Sequence, residues 1–388
     1  MHIPFHKPIL PNPKQIGKFL SESLDTGWLT TGPKVKQFEE KLQAYLNSNY
    51  VVCTNSCTAA LHLVLAAKNI TRDDHFMVPT FTFVASVEVG EYFNSKPILI
   101  DSELNGFNMD LNRVEDELKR NNKVKVIIPV HYGGQAVDIK ELRYICDQYG
   151  VFILEDAAHA LESVSSYGKV GNTSDAACFS FYANKNITTG GEGGAVSTNN
   201  NKLAEKIRRL SLHGINKSTW SREQVRKNKF YDVVELGYKY NMNDISGSIG
   251  LHQFEYISTW HLRRIKIAKM YLNKLSNIEG FIMPLNENID KHAWHLFVIR
   301  MLLDKWQVNR NEIMDLLRQQ GVETSVHYIP IHMQSYFKNK YNYTDQQFPN
   351  SHQLSQSVIS LPIYPDLNDK QVHYIIDVLI QLWTQFSK

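Results

Sequence analysis

Val124-Lys125-Val126-Ile127-Ile128-Pro129-Val130, the helical run Ile139–Tyr149 and then Val151-Phe152-Ile153-Leu154 form the stretch that decides the fold. Its two apolar runs are nearly continuous rather than alternating, the mark of strands covered on both faces. The same rhythm continues outward. On the N-terminal side come Tyr50-Val51-Val52-Cys53, a helix over Thr58–Lys68, Phe76-Met77-Val78-Pro79, a helix near Val84–Tyr92, Pro97-Ile98-Leu99-Ile100-Asp101 and a helix over Leu111–Arg120. On the other side lie strand runs Ala176–Phe181 and Ala195–Thr198 and a helix over Lys202–Leu212. Strands alternating with helices of this length predict an α/β fold with a mostly parallel sheet covered by helices. Apolar residues at helical spacing (Ile249, Phe254, Ile257, Ile265, Ala268, Leu272) predict one long helix from Asn243 to Leu275. Beyond it, strands at Leu296–Leu303 and Glu323–Val326 and helices at Arg310–Gln319 and Lys370–Phe386 predict a smaller C-terminal α+β domain. The expected division is a large domain over 1–250 and a small one over 251–388.

A chain of 388 residues with net charge +3 has no strong electrostatic bias toward nucleic acid. The basic runs Lys206-Ile207-Arg208-Arg209, Arg226-Lys227-Asn228-Lys229 and Arg263-Arg264-Ile265-Lys266 are scattered among apolar residues and read as solvated faces. The four cysteines, Cys53, Cys57, Cys146 and Cys178, form no Cys-x-x-Cys pair and read as reduced packing residues. The N-terminus lacks the apolar core of a secretory leader, and no apolar run reaches membrane-spanning length. A soluble, cytoplasmic protein is expected.

Ligands of open α/β sheets bind where strands end and helices begin, and three such ends carry reactive side chains. In Cys53-Thr54-Asn55-Ser56-Cys57-Thr58 a strand gives way to a helix start, whose free amides suit an anion, although Ser56 or Thr58 as a simple N-cap is the plainer reading. In Val151-Phe152-Ile153-Leu154-Glu155-Asp156-Ala157-Ala158-His159 two carboxylates follow a strand. Neighbours on a strand face opposite ways, so Glu155 and Asp156 should not share a role. A helix cap at Asp156 and a core histidine at His159 are the plainer readings. In Ser180-Phe181-Tyr182-Ala183-Asn184-Lys185, ahead of Gly190-Gly191-Glu192-Gly193-Gly194, a lysine sits among aromatic and glycine-rich flanks, where desolvation would make its amine a nucleophile toward carbonyls. No dinucleotide fingerprint, P-loop or His-Glu-x-x-His is present. His327 and His332 lack a neighbouring acid or cysteine in the sequence, so no metal site is expected.

Taken together the chain resembles the DegT/StrS family of nucleotide-sugar aminotransferases, fold-type I enzymes dependent on pyridoxal phosphate. The matching segments run in family order over almost the whole length: Thr26-Gly27-Trp28-Leu29-Thr30-Thr31-Gly32-Pro33, Val78-Pro79-Thr80-Phe81-Thr82-Phe83, His131-Tyr132-Gly133-Gly134-Gln135, Glu155-Asp156-Ala157-Ala158-His159, Ser180 with Lys185, Glu192-Gly193-Gly194, His213-Gly214, Tyr240-Asn241-Met242, Trp294-His295-Leu296, His327-Tyr328-Ile329-Pro330-Ile331-His332 and Leu361-Pro362. The resemblance implies that the large domain binds pyridoxal 5'-phosphate, with pyridoxamine 5'-phosphate as the alternate form. Lys185 would hold the cofactor as an imine and then move protons. Asp156 would keep the ring nitrogen protonated, Phe83 would stack on the ring and His159 would contact its hydroxyl side. Cys57, Thr58 and Ser180 would hold the phosphate.

By the same resemblance Asn241 would reach the cofactor of a partner subunit, making an obligate homodimer with shared active sites. Thr30, Thr31, His327 and His332 would contact substrate. The implied reaction moves an amino group from an amino acid, L-glutamate by analogy, to a nucleotide-linked keto-deoxy-sugar. The 131–135 segment leans toward C-4 over C-3 amination. Lys185 stands against the dehydratase branch, which carries histidine there, and Lys185 with Asp156 stands against a non-catalytic regulator.

Overall fold

In a computed structural model, residues 1–216, 231–284 and 288–388 are described. Seven strands form the main sheet: β1 (Tyr50–Thr54), β2 (His75–Pro79), β3 (Lys96–Ile100), β4 (Val124–Ile127), β5 (Phe152–Asp156), β6 (Ala176–Ser180) and β7 (Gly194–Thr198). Their order is β1-β7-β6-β5-β4-β2-β3, with β7 antiparallel to both neighbours and every other pairing parallel. The expected α/β class with a mostly parallel, mixed sheet is therefore found. Both faces are covered, which explains the unbroken apolar runs. The helix Cys57–Ala67 is apolar on nearly every side and almost wholly buried against one face. Leu111–Arg120 and Ile139–Tyr149 are amphipathic and start on the side-chain caps of Asp110 and Asp138.

Three further strands, β8 (Phe281–Ile282), β9 (Phe297–Met301) and β10 (Val358–Leu361), form a small antiparallel sheet in the order β10-β9-β8. It shares a core with the helices Ile257–Leu275, Arg310–Gln319 and Asp369–Phe386, and the N-terminal Ile3 is fully buried in that core. The Ile3 amide donates to Gly321 O, so the first residues of the chain join its last third.

Several sequence expectations change. The run from Asn243 to Leu275 is two helices, Asp244–Phe254 and Ile257–Leu275. Glu255 and Tyr256 donate backwards to His252 O and Gln253 O in tight turns, and the second piece runs from the core shared with the first, at Ile257 and Trp260, into another. Phe254 packs beside Phe38 and Tyr45, whereas Ile265, Ala268 and Leu272 belong with β9. Glu323–Val326 forms no strand, only an isolated bridge from Ser325 to Ser360. Arg264 is not on a solvated face: it is 2% exposed, while Arg263 and Lys266 pair with Asp369. Arg208 is tied to Glu39 and Arg209 to Glu235. The run Arg226–Lys229 lies outside the described residues. All four cysteines are free and buried.

One packing detail bears on the N-terminal segment. Gly247 and Gly250 let the helix Asp244–Phe254 approach Pro33–Leu46 so closely that a Cβ at Gly247 would meet the Val35 amide at 2.9 Å. The Asp244 carboxylate then accepts the amides of Gly32, Lys34 and Val35, capping that helix from another part of the chain.

Candidate active site

The parallel strands end along one edge, and there a cavity of about 540 Å³ opens. It is lined by the start of helix Cys57–Ala67, by Thr82 and Phe83 beyond β2, by Asp156 and His159 at the end of β5, by Ser180 and Lys185 beyond β6, and by His327 and Tyr328.

The floor at Ser56–Thr58 has the features of an anion cradle. Ser56 Oγ accepts the Ala59 amide at 3.0 Å, so Ser56 is indeed an N-cap. The Cys57 and Thr58 amides, by contrast, find no acceptor among the described residues. Cap and anion site are compatible: the cap uses one amide of the first turn and leaves two. Gly194 is pressed against this turn, where a Cβ would come within 2.4 Å of the Ser56 carbonyl carbon and 2.5 Å of the Cys57 nitrogen. Burial and the nearby Asp156 push the Cys57 thiol well above its ordinary pKa, so it is a neutral wall.

The two adjacent acids diverge as strand geometry requires. Glu155 is fully buried on the far side and bound to His131 Nε2 at 2.7 Å. Val137 N–H donates to His131 Nδ1, so the ring must donate to Glu155 from Nε2. Asp156 faces the cavity and caps no helix. Its Oδ2 accepts from Ser86 Oγ at 2.6 Å, and its Oδ1 accepts the Ala158 amide at 3.1 Å. Because Ser86 spends its proton on Asp156, Thr82 Oγ1 must donate to Ser86 across 3.0 Å.

Lys185 lies across the same cavity. Desolvation lowers its pKa to about 8, against opposing contributions from Cys57 and Asp156. His159 Nδ1 accepts the Gly133 amide at 3.3 Å, so its Nε2–H points to Tyr328 Oη, 3.1 Å away. Burial, with Lys185 and His327 next in importance, holds this ring far below its ordinary pKa and therefore neutral. That arrangement leaves the Tyr328 hydroxyl proton available to a ligand. His327 is held at Nδ1 by Ser360 and drops to about 4 through burial and then Lys185. Phe83 is 56% exposed, with its ring 5.8 Å from that of Tyr328.

Of the residues singled out in the sequence, Cys57, Thr58, Phe83, Asp156, His159, Ser180, Lys185 and His327 thus meet in one cavity. Four do not. Thr31 and Asn241 line a separate groove of about 670 Å³, joined by Asn241 Nδ2 to Thr31 Oγ1 at 2.7 Å. Thr30 is exposed beside them. His332 is completely buried elsewhere, with Nδ1 2.8 Å from Thr80 Oγ1.

A model of the DegT/DnrJ/EryC1/StrS aminotransferase family matches residues 13–380. The chain belongs to this family. Among relatives, an uncharacterized protein of Methanocaldococcus jannaschii, MJ1066, is 39% identical over 358 residues, 92% of each chain. The spore coat polysaccharide biosynthesis protein SpsC of Bacillus subtilis is 36% identical over 378 residues, covering 97% of this chain and 96% of its own. Among solved structures, Spr1654 of Streptococcus pneumoniae, assigned as a sugar aminotransferase and solved in its PMP form, superposes with a TM-score of 0.90 at 29% identity over 99% of this chain and 100% of its own.

Tyr328 also lines the aminotransferase cavity, and Ser86 stands behind Asp156 outside its lining. Neither carries a local sequence signal of its role: Tyr328 lies inside the 327–332 motif, and Ser86 lies three positions after Phe83. Their partners, His159 and Asp156, are 169 and 70 positions away in the chain. Only folding pairs them.

Proposed function

We propose that this chain is a pyridoxal-phosphate-dependent aminotransferase that carries an amino group from an amino acid, in our reading L-glutamate, to a nucleotide-linked keto-deoxy-sugar. The observation that carries the reading is one cavity uniting a weakly basic lysine amine, a buried carboxylate held at both oxygens and two unpartnered amides. These residues fit the cofactor: the amides at a glycine-pressed helix start suit its phosphate, and the carboxylate suits a protonated ring nitrogen.

When bound, the cofactor accepts the amino group at its aldehyde carbon and withdraws electrons through its ring. The chain's own residues do the rest. Cys57 and Thr58 amides and Ser180 hold the phosphate, while Phe83 supplies a flat apolar face. Asp156, fixed by Ser86 and the Ala158 amide, holds a proton on the ring nitrogen and cannot swing away. Lys185 Nζ would bond the cofactor's aldehyde carbon and, once the donor's amine displaces it there, would as a free amine carry the proton from the donor's α-carbon to that aldehyde carbon on the same face. An amine of pKa near 8 suits this at neutral pH better than an ordinary lysine. His159 and Tyr328 orient the ring's oxygen side, and His327 meets the substrate.

The proposal includes a cytoplasmic homodimer in which Asn241 serves the partner's cavity, which accords with its lying in a separate groove beside Thr31, while Thr30 and Thr31 contact substrate. It also keeps the working division of the chain into 1–250 and 251–388 and the lean to C-4 amination. The deciding experiment loads purified protein with pyridoxal phosphate and titrates UDP-, dTDP- and GDP-linked amino-sugars while following the visible cofactor band. One nucleotide-sugar should bleach the band, L-glutamate should do so with release of 2-oxoglutarate, and Lys185→Ala should do neither. A band that no amino-sugar bleaches while glutamate does would remove the sugar from the reading.

A further inference from the structure

We propose that His332, Asp345 and His352 form a zinc-binding site, separate from the catalytic cavity. The sequence set His332 aside for want of a neighbouring acid, but the fold supplies one. One ligand atom from each residue, His332 and His352 ring nitrogens and an Asp345 carboxylate oxygen, falls within 4.8 Å of the others. His332 Nε2 lies 3.8 Å from Asp345 Oδ1, and His352 Nδ1 lies 3.6 Å from Asp345 Oδ2. These separations are too long for hydrogen bonds. They approach the spacing of roughly 3.3 Å between ligand atoms arranged tetrahedrally about zinc at about 2.0–2.2 Å.

The decisive feature is the set of atoms left over. His332 Nε2, Asp345 Oδ1 and His352 Nδ1 are each buried without a hydrogen-bond partner among the described residues. A polar atom buried in that state costs free energy unless something meets it, and here three converge on one point. His332 is fully buried, so its Nε2 cannot turn to water. Its other nitrogen is fixed by Thr80 Oγ1 at 2.8 Å, and Phe348 stacks on the ring with centroids 4.7 Å apart. At the second histidine the Gln356 side-chain amide lies 3.2 Å from His352 Nε2, and metal binding through Nδ1 requires that amide to turn its oxygen toward the Nε2–H. Metal-bound imidazoles characteristically engage their other nitrogen this way, which fixes the ring and its tautomer.

Two imidazoles and one carboxylate leave a fourth position for water and select a borderline metal such as zinc over calcium or magnesium, which prefer all-oxygen sites. Access exists, because the side chains of Asp345 and His352 are 39% and 33% exposed. The three residues come from the turn Ile331–Met333, the turn Asp345–Gln347 and the helix Pro349–Ser357. A bound ion would therefore staple these pieces to Thr80 at the end of β2. The stapled segment directly follows His327 and Tyr328, so the ion would steady that wall of the cavity.

The test uses untagged, cofactor-loaded protein stripped of metal with a chelator and titrated calorimetrically with Zn²⁺. One saturable equivalent per chain is expected. His352→Gln and Asp345→Asn should each weaken that equivalent by more than about 10-fold, a loss that even outer-sphere partners of a metal produce, while the visible cofactor band is retained. Co²⁺ in place of Zn²⁺ should give the visible absorption of a low-coordinate cobalt site in the wild type and lose it in both variants. No saturable equivalent in the wild type, or both variants binding as the wild type does, would overturn the proposal.

Discussion

The lowered basicity of Lys185 makes a quantitative prediction for the uptake of pyridoxal phosphate. Condensation with an aldehyde requires the neutral amine. With a pKa of about 8, about 9% of Lys185 is neutral at pH 7, whereas a lysine at 10.5 would be about 0.03% neutral, a difference of roughly 300-fold. The perturbation is pH, and the assay is the rate at which stripped protein regains its visible cofactor band in stopped-flow measurements between pH 6.5 and 10. The rate should rise about tenfold per pH unit below 8 and level off above it.

Asp156→Asn should shift this profile in a direction set by the charge it removes. The carboxylate favours the charged amine and so opposes desolvation. Removing its charge should move the midpoint below 8 even as amino transfer slows. A rate that keeps climbing past pH 9.5 in the wild type, or a midpoint that rises in Asp156→Asn, would refute the reasoning that burial sets this amine.

Three further outcomes are expected. Gly194→Ala should weaken cofactor binding by about tenfold or more in equilibrium dialysis, since the added methyl displaces the Ser56–Cys57 peptide by an amount that costs at least about 1.4 kcal/mol of binding. Ser86→Ala removes a 2.6 Å bond to the Asp156 carboxylate, so single-turnover transfer from glutamate should slow by about 10–100-fold, matching the roughly 1.5–3 kcal/mol of a charge-assisted hydrogen bond. Glu155→Ala leaves the Nε2–H of fully buried His131 unsatisfied and should destabilise the fold by about 1–3 kcal/mol in denaturant titration, yet leave the cofactor band of the folded fraction unchanged.

Much of the architecture was legible along the chain because it follows from local periodicity. Continuous apolar runs specified doubly covered strands, and the alternation of Glu155 and Asp156 assigned the two acids to opposite faces before any contact was known. Lys185 and the helix start at Cys57 could be marked as reactive strand ends for the same reason: the edge of a parallel sheet is set by strand direction.

What periodicity cannot carry is partnership over distance. It cannot show that Ser86 holds Asp156, that Tyr328 closes on His159, or that one apolar stripe from Asn243 to Leu275 divides between two cores. Nor could His332 acquire Asp345 and His352 from sequence, since three separate turns and helices must first be packed against Thr80 to bring those atoms together. The residue types fixed which chemistry was possible at each position, and the tertiary structure alone decided which of those side chains meet.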